Sequence, residues 1–149
     1  MFGPTKEQRF RKIADIAFEV LNAQRIFVSK EKFLIMDAGG RINGKALGYV
    51  FGFLDALLQS SKLDIRDVEG EAFMHSLLAR LFPPEVARTG TYVAHLRNMR
   101  DDPEVMNGVM LGGKQAVDWL RHKAPPVRWA TCFSEELARL SEERDRRRL

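Results

Sequence analysis

The stretch "DAGGRINGKALGYVFGFLDALLQ" (Asp37–Gln59) decides the fold, because it joins a glycine-rich turn to the most apolar segment of the chain. The paired glycines at 39–40 interrupt regular structure, and Asn43 is a suitable N-cap for a helix that runs to about Ser61. Between positions 46 and 58, apolar side chains cover most of the circumference of this helix. A helix that is apolar nearly all round is buried, so we expect residues 46–58 to form the centre of the fold.

A narrow stripe of glycine and polar residues interrupts this apolar circumference. Its members are Gly44, Gly48, Gly52, Asp55 and Gln59. A glycine inside a helix costs about 1 kcal/mol relative to alanine, so two on one face need a compensating gain. Close approach of another helix backbone supplies such a gain, as small residues at this spacing do in membranes. Gly48 and Gly52 are therefore predicted to be helix-packing residues.

The same stretch also resembles a phosphate-binding P-loop. Its pattern, Gly39-x-x-x-x-Gly44-Lys45-Ala46, lacks the Ser or Thr that would contact magnesium, and no βαβ series follows it. The amides and dipole at a helix N-terminus can still bind an anion. An alternative function is therefore phosphate or nucleotide binding at Gly39–Lys45. Its candidate anion site comprises Arg41, Asn43, Gly44 and Lys45. A cleft lined by Arg41, Lys45 and Asp55 would favour that alternative.

The remaining segments also favour helices. Thr5 with Gln8 forms a capping-box pattern, and Asp102-Pro103-Glu104 is a strong start signal for a helix reaching about Lys123. Three further helices are predicted, at about Val68–Phe82, at Glu85–Met99 with a bend near Thr89-Gly90, and after the N-cap Ser134. The sequence thus predicts an all-α, or nearly all-α, single domain over residues 1–149. It has five or six helices around the buried one and a polar end at about 141–149.

Two segments leave helix and hairpin open. Residues 25–37 contain "RIFVSKEKFLIMD", which is β-branched and aromatic enough for one short β-hairpin. Residues 105–111 include Asn107-Gly108, a hairpin turn signal. The Asp-Pro-Glu start makes helix the preferred structure for this second segment.

Composition indicates a folded protein of a reducing compartment. Of its 149 residues, 45% are hydrophobic and 30% are charged, which argues against disorder. The start "MFGPTKEQRFRK" has no apolar signal region, and the run 46–58 contains Asp55 and is too short to cross a bilayer. The single Cys132 cannot form an internal disulfide. We therefore expect a cytoplasmic protein without membrane association.

The net charge of +4 raises the alternative of nucleic-acid binding through the basic N-terminal helix. Residues 1–33 carry seven Lys or Arg against four Asp or Glu, which is the largest excess in the chain. In residues 134–149, five arginines are matched by five acidic residues. Because the charge is spread and balanced, nucleic acid is a possible partner that the sequence does not favour.

The sequence shows no metal, cofactor or catalytic motif. His75, His95 and His122 lack partners at zinc-ligand spacing, and the segment around Gly70 lacks the carboxylates of a calcium loop. Cys132, between Ala130 and Phe133, is predicted to be a small buried hydrophobe. The acid pairs Asp101-Asp102 and Glu135-Glu136 are predicted to stabilise helix starts. We therefore predict no metal, no cofactor and no catalytic residue.

The functional expectation is a non-enzymatic protein that binds a protein partner or itself. The methionines at 99, 106 and 110 could line an adaptable partner groove, but core filling is their predicted use. The apolar surface of the central helix, together with Trp119 and Trp129, exceeds what we expect one chain to cover. A homodimer is therefore predicted.

Overall fold

The computed structural model describes residues 3–66, 68–98 and 101–147, and these are mostly helical. They form seven α-helices and two 3₁₀ helices. The α-helices are α1 (Lys6–Asn22), α2 (Gly44–Ser60), α3 (Val68–Leu81), α4 (Thr89–Arg97), α5 (Pro103–His122), α6 (Arg128–Thr131) and α7 (Glu135–Arg147). The 3₁₀ helices are Ala23–Phe27 and Pro83–Arg88. Within the described residues no strand forms, which agrees with the predicted all-α class.

Side-chain caps fix the starts of α1, α2 and α5 where the sequence predicted them. The Gln8 amide donates to Thr5 Oγ1 at 3.1 Å and the Thr5 amide to Gln8 Oε1 at 2.8 Å, which completes the capping box. Asn43 Oδ1 accepts from the Ala46 amide at 3.0 Å. Asp102 Oδ1 accepts from the Glu104 amide at 2.8 Å. These bonds satisfy amides that would otherwise lack partners in the first helical turn.

The central helix of the fold is α2, as predicted. Seven of its apolar side chains are fully buried, namely Ala46, Leu47, Tyr49, Val50, Phe53, Leu54 and Leu58. α1 and α5 pack directly on α2, and α3 packs on α1. The buried side chains of α2, α3 and the 33–35 segment form one continuous core.

The contact between α2 and α5 is a meeting of two backbones. A Cβ added at Gly48 would lie 2.2 Å from the Val105 carbonyl oxygen, and one at Gly52 would lie 2.1 Å from that of Val109. Two glycines of α5 likewise pack against the α2 backbone, because a Cβ at Gly108 or Gly112 would lie 2.1 Å from a carbonyl oxygen of α2. Residue numbers rise together along the contact, so the two helices run parallel.

The short helix α6 closes the core at the start of α2. The Trp129 indole donates to the Ala46 carbonyl oxygen at 3.1 Å, and Asn43 Nδ2 donates to the Cys132 carbonyl oxygen at 2.9 Å. The Trp129 ring lies edge-on to Phe33 and to Phe133, with ring centroids 5.2 Å apart in both pairs. These contacts hold the segment after the Pro125-Pro126 linker against the core.

Two details of the predicted fold differ from the structure. The helix count rises from five or six to seven among the described residues, partly because α6 is an additional short helix. The predicted helix Glu85–Met99 is divided into the 3₁₀ helix Pro83–Arg88 and α4, since the paired prolines disfavour α-helix at its start. The end of that predicted helix, at Met99, lies outside the described residues.

Neither of the two segments for which a hairpin was an alternative forms one. Residues 105–111 are α-helical within α5. Residues 25–37 form no hairpin: after the 3₁₀ helix the chain is irregular, and its antiparallel pairing is one isolated bridge between Met36 and Ile42. The amides of Ile35 and Met36 donate to the Glu85 carboxylate, which replaces a partner strand.

None of the helices in the described ranges is both long enough and apolar enough to cross a membrane.

Candidate functional site

The loop before α2 already holds a carboxylate where a P-loop would hold a phosphate. Asp37 Oδ1 accepts from the Gly39 amide at 2.9 Å and from the Arg41 amide at 2.8 Å. Asn43 is also engaged, because its oxygen caps α2 and its nitrogen donates to Cys132. A phosphate here would meet the negative charge of Asp37 and compete for the same amides.

The cleft that would have favoured nucleotide binding is not assembled. The predicted anion-site residues Arg41, Asn43, Gly44 and Lys45 lie together at the start of α2. Asp55 lies ten residues beyond Lys45, about 15 Å further along the helix axis. There it accepts from Gln59 Nε2 at 3.0 Å. Asp55 therefore belongs to a different part of the surface.

The basic residues of α1 are interspersed with acidic partners. Arg9 donates to the Ser61 carbonyl oxygen, and Arg11 pairs with Glu7 at 3.2 Å. Asp15 of α1 accepts from Arg80 of α3 at 2.7 Å. This side of the molecule presents mixed charge and no continuous basic stripe over the described residues.

The histidines and Cys132 do not form a reactive cluster in the described part of the chain. No three His, Cys, Asp or Glu side chains there are placed to hold a metal ion. His75 Nε2 lies 2.8 Å from Thr89 Oγ1, and this hydroxyl in turn donates to the Val86 carbonyl oxygen at 3.0 Å. Burial raises the pKa of the Cys132 thiol to about 12, which disfavours the thiolate that a nucleophile needs.

A buried carboxylate that sequence reasoning missed is Glu85, in the second 3₁₀ helix. It accepts from the amides of Ile35 and Met36 at 3.1 and 3.2 Å, and from the Tyr92 hydroxyl at 2.5 Å. Burial, followed by the hydrogen bond to Glu85, raises the pKa of Tyr92. Because both oxygens of Glu85 are occupied, its role is to tie the irregular 28–42 segment to α4. Nothing in the local sequence distinguished Glu85 from an ordinary helix-start carboxylate.

An apolar groove of about 470 Å³ opens beside α5. We name it the α5 groove, and its apolar walls include Phe51, Met74, Val93, Leu96, Val105 and Val109. Arg66, Glu71 and Arg97 also line it, with Arg97 Nε donating to Glu71 Oε1 at 2.7 Å. An apolar floor with a few charged groups is typical of binding sites, and this volume lies within their usual range of about 300–1,000 Å³.

Two methionines of α5 stand at the edge of this groove and are exposed. Met106 lines the groove and is 41% exposed, while Met110, one turn further on, is 70% exposed. The prediction that these methionines fill the core is therefore wrong, because α5 directs its glycine face to α2 and leaves them outside. Their placement fits the alternative of an adaptable partner groove. Met99, the third methionine of that prediction, lies outside the described residues.

The exposed methionines belong to a longer apolar row along α5. We name it the α5 stripe, and it comprises Met106, Met110, Gly113, Val117 and Leu120. Gly113, Val117 and Leu120 are half-buried. The spacing of four, three, four and three residues is that of a coiled-coil seam. This spacing is readable in the sequence, but the sequence alone does not show which face of the helix stays exposed.

A second, smaller opening of about 340 Å³ lies between the first 3₁₀ helix, α6 and α7. Phe27, Leu137 and Leu140 line it, and the neighbouring Ile26 is 82% exposed. The apolar residues here are separated by Thr131, Ser141 and Arg144. This surface lacks the regular spacing of the α5 stripe.

The chain covers the apolar surface that had motivated the homodimer prediction. Trp129 and most apolar residues of α2 are buried within it, and Trp119 is half-buried. The exposed apolar side chains are instead found mainly on α5, in the first 3₁₀ helix and on α7. The exposed apolar surface of the described residues therefore lies outside α2.

Comparison of the chain with protein-family models, with curated proteins and with solved structures found no match in any of the three.

Proposed function

We propose that this chain is a non-enzymatic helical protein that binds a protein partner through the α5 groove and the α5 stripe. The observation that carries the proposal is the exposure of Met106 and Met110 beside an apolar groove of about 470 Å³. Exposed apolar surface of this kind marks interaction sites in folded proteins. We propose that it acts in the cytoplasm.

The chemistry of this surface suits a helical protein segment. Grooves with apolar floors bind the apolar face of an amphipathic helix, which inserts side chains at intervals of three and four residues. Methionine is unbranched and polarizable, so Met106 and Met110 can adjust to the side chains of a partner. The Glu71–Arg97 ion pair lines the groove and would fix the orientation of that segment.

Site-specific photo-crosslinking tests the proposal. A photoreactive amino acid replaces Met110 in one variant, and in the control it replaces Ile26, which is similarly exposed but lies on the first 3₁₀ helix. In cells that express each variant, we expect a discrete protein adduct from position 110 that the additional substitution Met106→Glu suppresses. The same pattern of adducts from both positions, or none from position 110, would contradict a binding surface on α5.

A further inference from the structure

We propose that the partner bound by the α5 stripe is a second copy of this chain. In this dimer the two α5 helices lie antiparallel, and Met110 of each copy packs against Gly113 of the other. This inference rests on the proposed function, since it names the partner of the same surface. Three features of α5 support it: the spacing of the stripe, the notch at Gly113 and the distribution of charge along the helix.

The spacing supports a helix as the partner of this surface. Apolar residues that repeat every 3.5 positions form the seam at which two helices pack side by side. The face of α5 that carries Gly108 and Gly112 is used by α2 within the chain. Met106 and Met110 of the α5 stripe remain exposed outside that contact, while Gly113 borders it and Leu120 packs partly against the core. The exposed part of the stripe can therefore form a second packing surface.

The glycine in the middle of the stripe sets the register. Unlike Gly108 and Gly112, Gly113 is not required by α2: a Cβ there would lie 3.7 Å from the nearest atom, the Gly52 carbonyl oxygen, which is an ordinary contact. This glycine therefore leaves a notch in the stripe beside the protruding Met110. In the antiparallel register that places Met110 against Gly113 of the second copy, Met106 meets Val117. Each contact then occurs twice about a twofold axis, which closes the assembly at two chains.

The charges at the two ends of α5 favour one relative direction of the two α5 helices in the dimer. Asp101 and Asp102 lie at the amino-terminal end, while Arg121 and Lys123 lie at the carboxy-terminal end. An antiparallel pair brings the acidic end of each helix to the basic end of the other. A parallel pair would bring like charges together at both ends. Complementary charge sets register and partner choice at such interfaces, so the antiparallel arrangement is favoured.

Disulfide trapping tests this register. In a Cys132→Ala background, one chain carries Met106→Cys at an exposed position of α5 and a second chain carries Val117→Cys at a half-buried one. The two chains are mixed at low protein concentration in buffer without denaturant and are then oxidised. Circular dichroism verifies that each chain remains helical. We expect mixed disulfide dimers to exceed both kinds of self-dimer several-fold. In the proposed register, two copies of position 106 lie about 16 Å apart along the axis, too far for a disulfide.

A different pattern of trapping would overturn the inference. Preferential self-dimers of the Met106→Cys chain would indicate a parallel pair, and no trapping above the level of an Ile26→Cys control would exclude this interface. In the second case, photo-crosslinking from position 110 distinguishes the two proposals. A Met106-dependent adduct with another protein would leave the proposed function standing without self-docking, whereas the absence of any adduct would contradict both.

Discussion

Val109 of α5 lies so close to Gly52 of α2 that a Cβ on Gly52 would stand 2.1 Å from the Val109 carbonyl oxygen. Real Cβ atoms essentially never approach another heavy atom within 3.0 Å, so even alanine at this position requires the helices to separate. The same holds for Gly108 against the Lys45 carbonyl oxygen. Glycine at these positions therefore sets how α5 lies on α2, and thereby which face of α5 remains outside.

The first prediction concerns these glycines. Gly52→Ala and Gly108→Ala should each lower the free energy of unfolding, and overpacking of this kind costs roughly 1–3 kcal/mol. Gly52→Leu should cost more, and Gly48→Leu nearly as much, because the added atoms would meet backbone in both cases. Urea unfolding followed by circular dichroism measures the change.

The control for this prediction is Gly90→Ala in α4, where the nearest atoms to an added Cβ, those of the His75 ring, are 4.0 Å away. That variant should be neutral or more stable by up to about 1 kcal/mol through helix propensity. If the alanine and leucine variants of Gly52 were as stable as the parent, the backbone contact between α2 and α5 would not exist as described.

The second prediction concerns the buried carboxylate. Glu85→Gln places an amide nitrogen among the donors from Ile35, Met36 and Tyr92, so at least one of these donors loses its acceptor. Each buried group left without a partner costs roughly 1–3 kcal/mol. Tyr92→Phe should cost less, since the carboxylate keeps its two amide donors. Urea unfolding of both variants measures the ranking.

An exposed carboxylate provides the comparison for Glu85. Glu71 forms a partly exposed ion pair with Arg97, and such pairs contribute about 0–1 kcal/mol. Glu71→Gln should therefore change stability little. Equal effects at positions 71 and 85 would mean that Glu85 does not anchor the 28–42 segment.

The third prediction concerns alkaline pH. The pKa of Cys132 rises from 9.0 to about 12 on folding because the thiol is buried. Between these values the unfolded chain binds fewer protons than the folded one, so stability should fall as pH rises above about 9. Burial also raises the pKa of Tyr49 and Tyr92, which adds a loss at higher pH in the parent and in any Cys132 variant.

Cys132→Ala isolates the thiol. Below pH 9 the stability difference between parent and variant should be constant, and above it the parent should lose stability faster, approaching about 1.4 kcal/mol per pH unit. Urea unfolding at a series of pH values measures this difference. Parallel pH profiles for the two proteins would show that Cys132 titrates normally and is not buried.

The fourth prediction concerns nucleotides. Because Asp37 occupies the amides of Gly39 and Arg41, magnesium with ATP or GTP should leave the melting temperature unchanged at millimolar concentration. Thermal unfolding with and without nucleotide measures this. An increase in melting temperature that Lys45→Ala abolishes would instead support the anion site at Arg41, Asn43, Gly44 and Lys45.

The sequence predicted local features of the fold better than the surface. The caps at Thr5, Asn43 and Asp102, and the buried α2, follow from hydrogen-bonding groups and periodicity within one segment. The role of Glu85 depends on the amides of Ile35 and Met36, some 50 residues away, and no local pattern reveals such a pairing.

The candidate site illustrates the same limit. The stripe from Met106 to Leu120 has seam spacing in the sequence, but its exposure depends on which face of α5 lies against α2. Gly48 and Gly52 suggested a close helix partner without identifying it. Only the fold shows that this partner is α5, and that Gly108 and Gly112 leave no room for a Cβ against α2 whereas Gly113, at the border of the contact, does.

Self-association through α5 is tested most directly by the mass of the chain in solution, measured by light scattering over a wide range of micromolar concentrations. The parent should approach twice its 17.1 kDa as concentration rises. Met110→Glu should raise the dissociation constant at least about tenfold, because it places a charge in the apolar interface. Ile26→Glu, a substitution at a similarly exposed position on the first 3₁₀ helix, should leave the dissociation constant unchanged. A parent that stays at 17.1 kDa throughout, or a dimer that Ile26→Glu disrupts and Met110→Glu does not, would contradict self-association through α5.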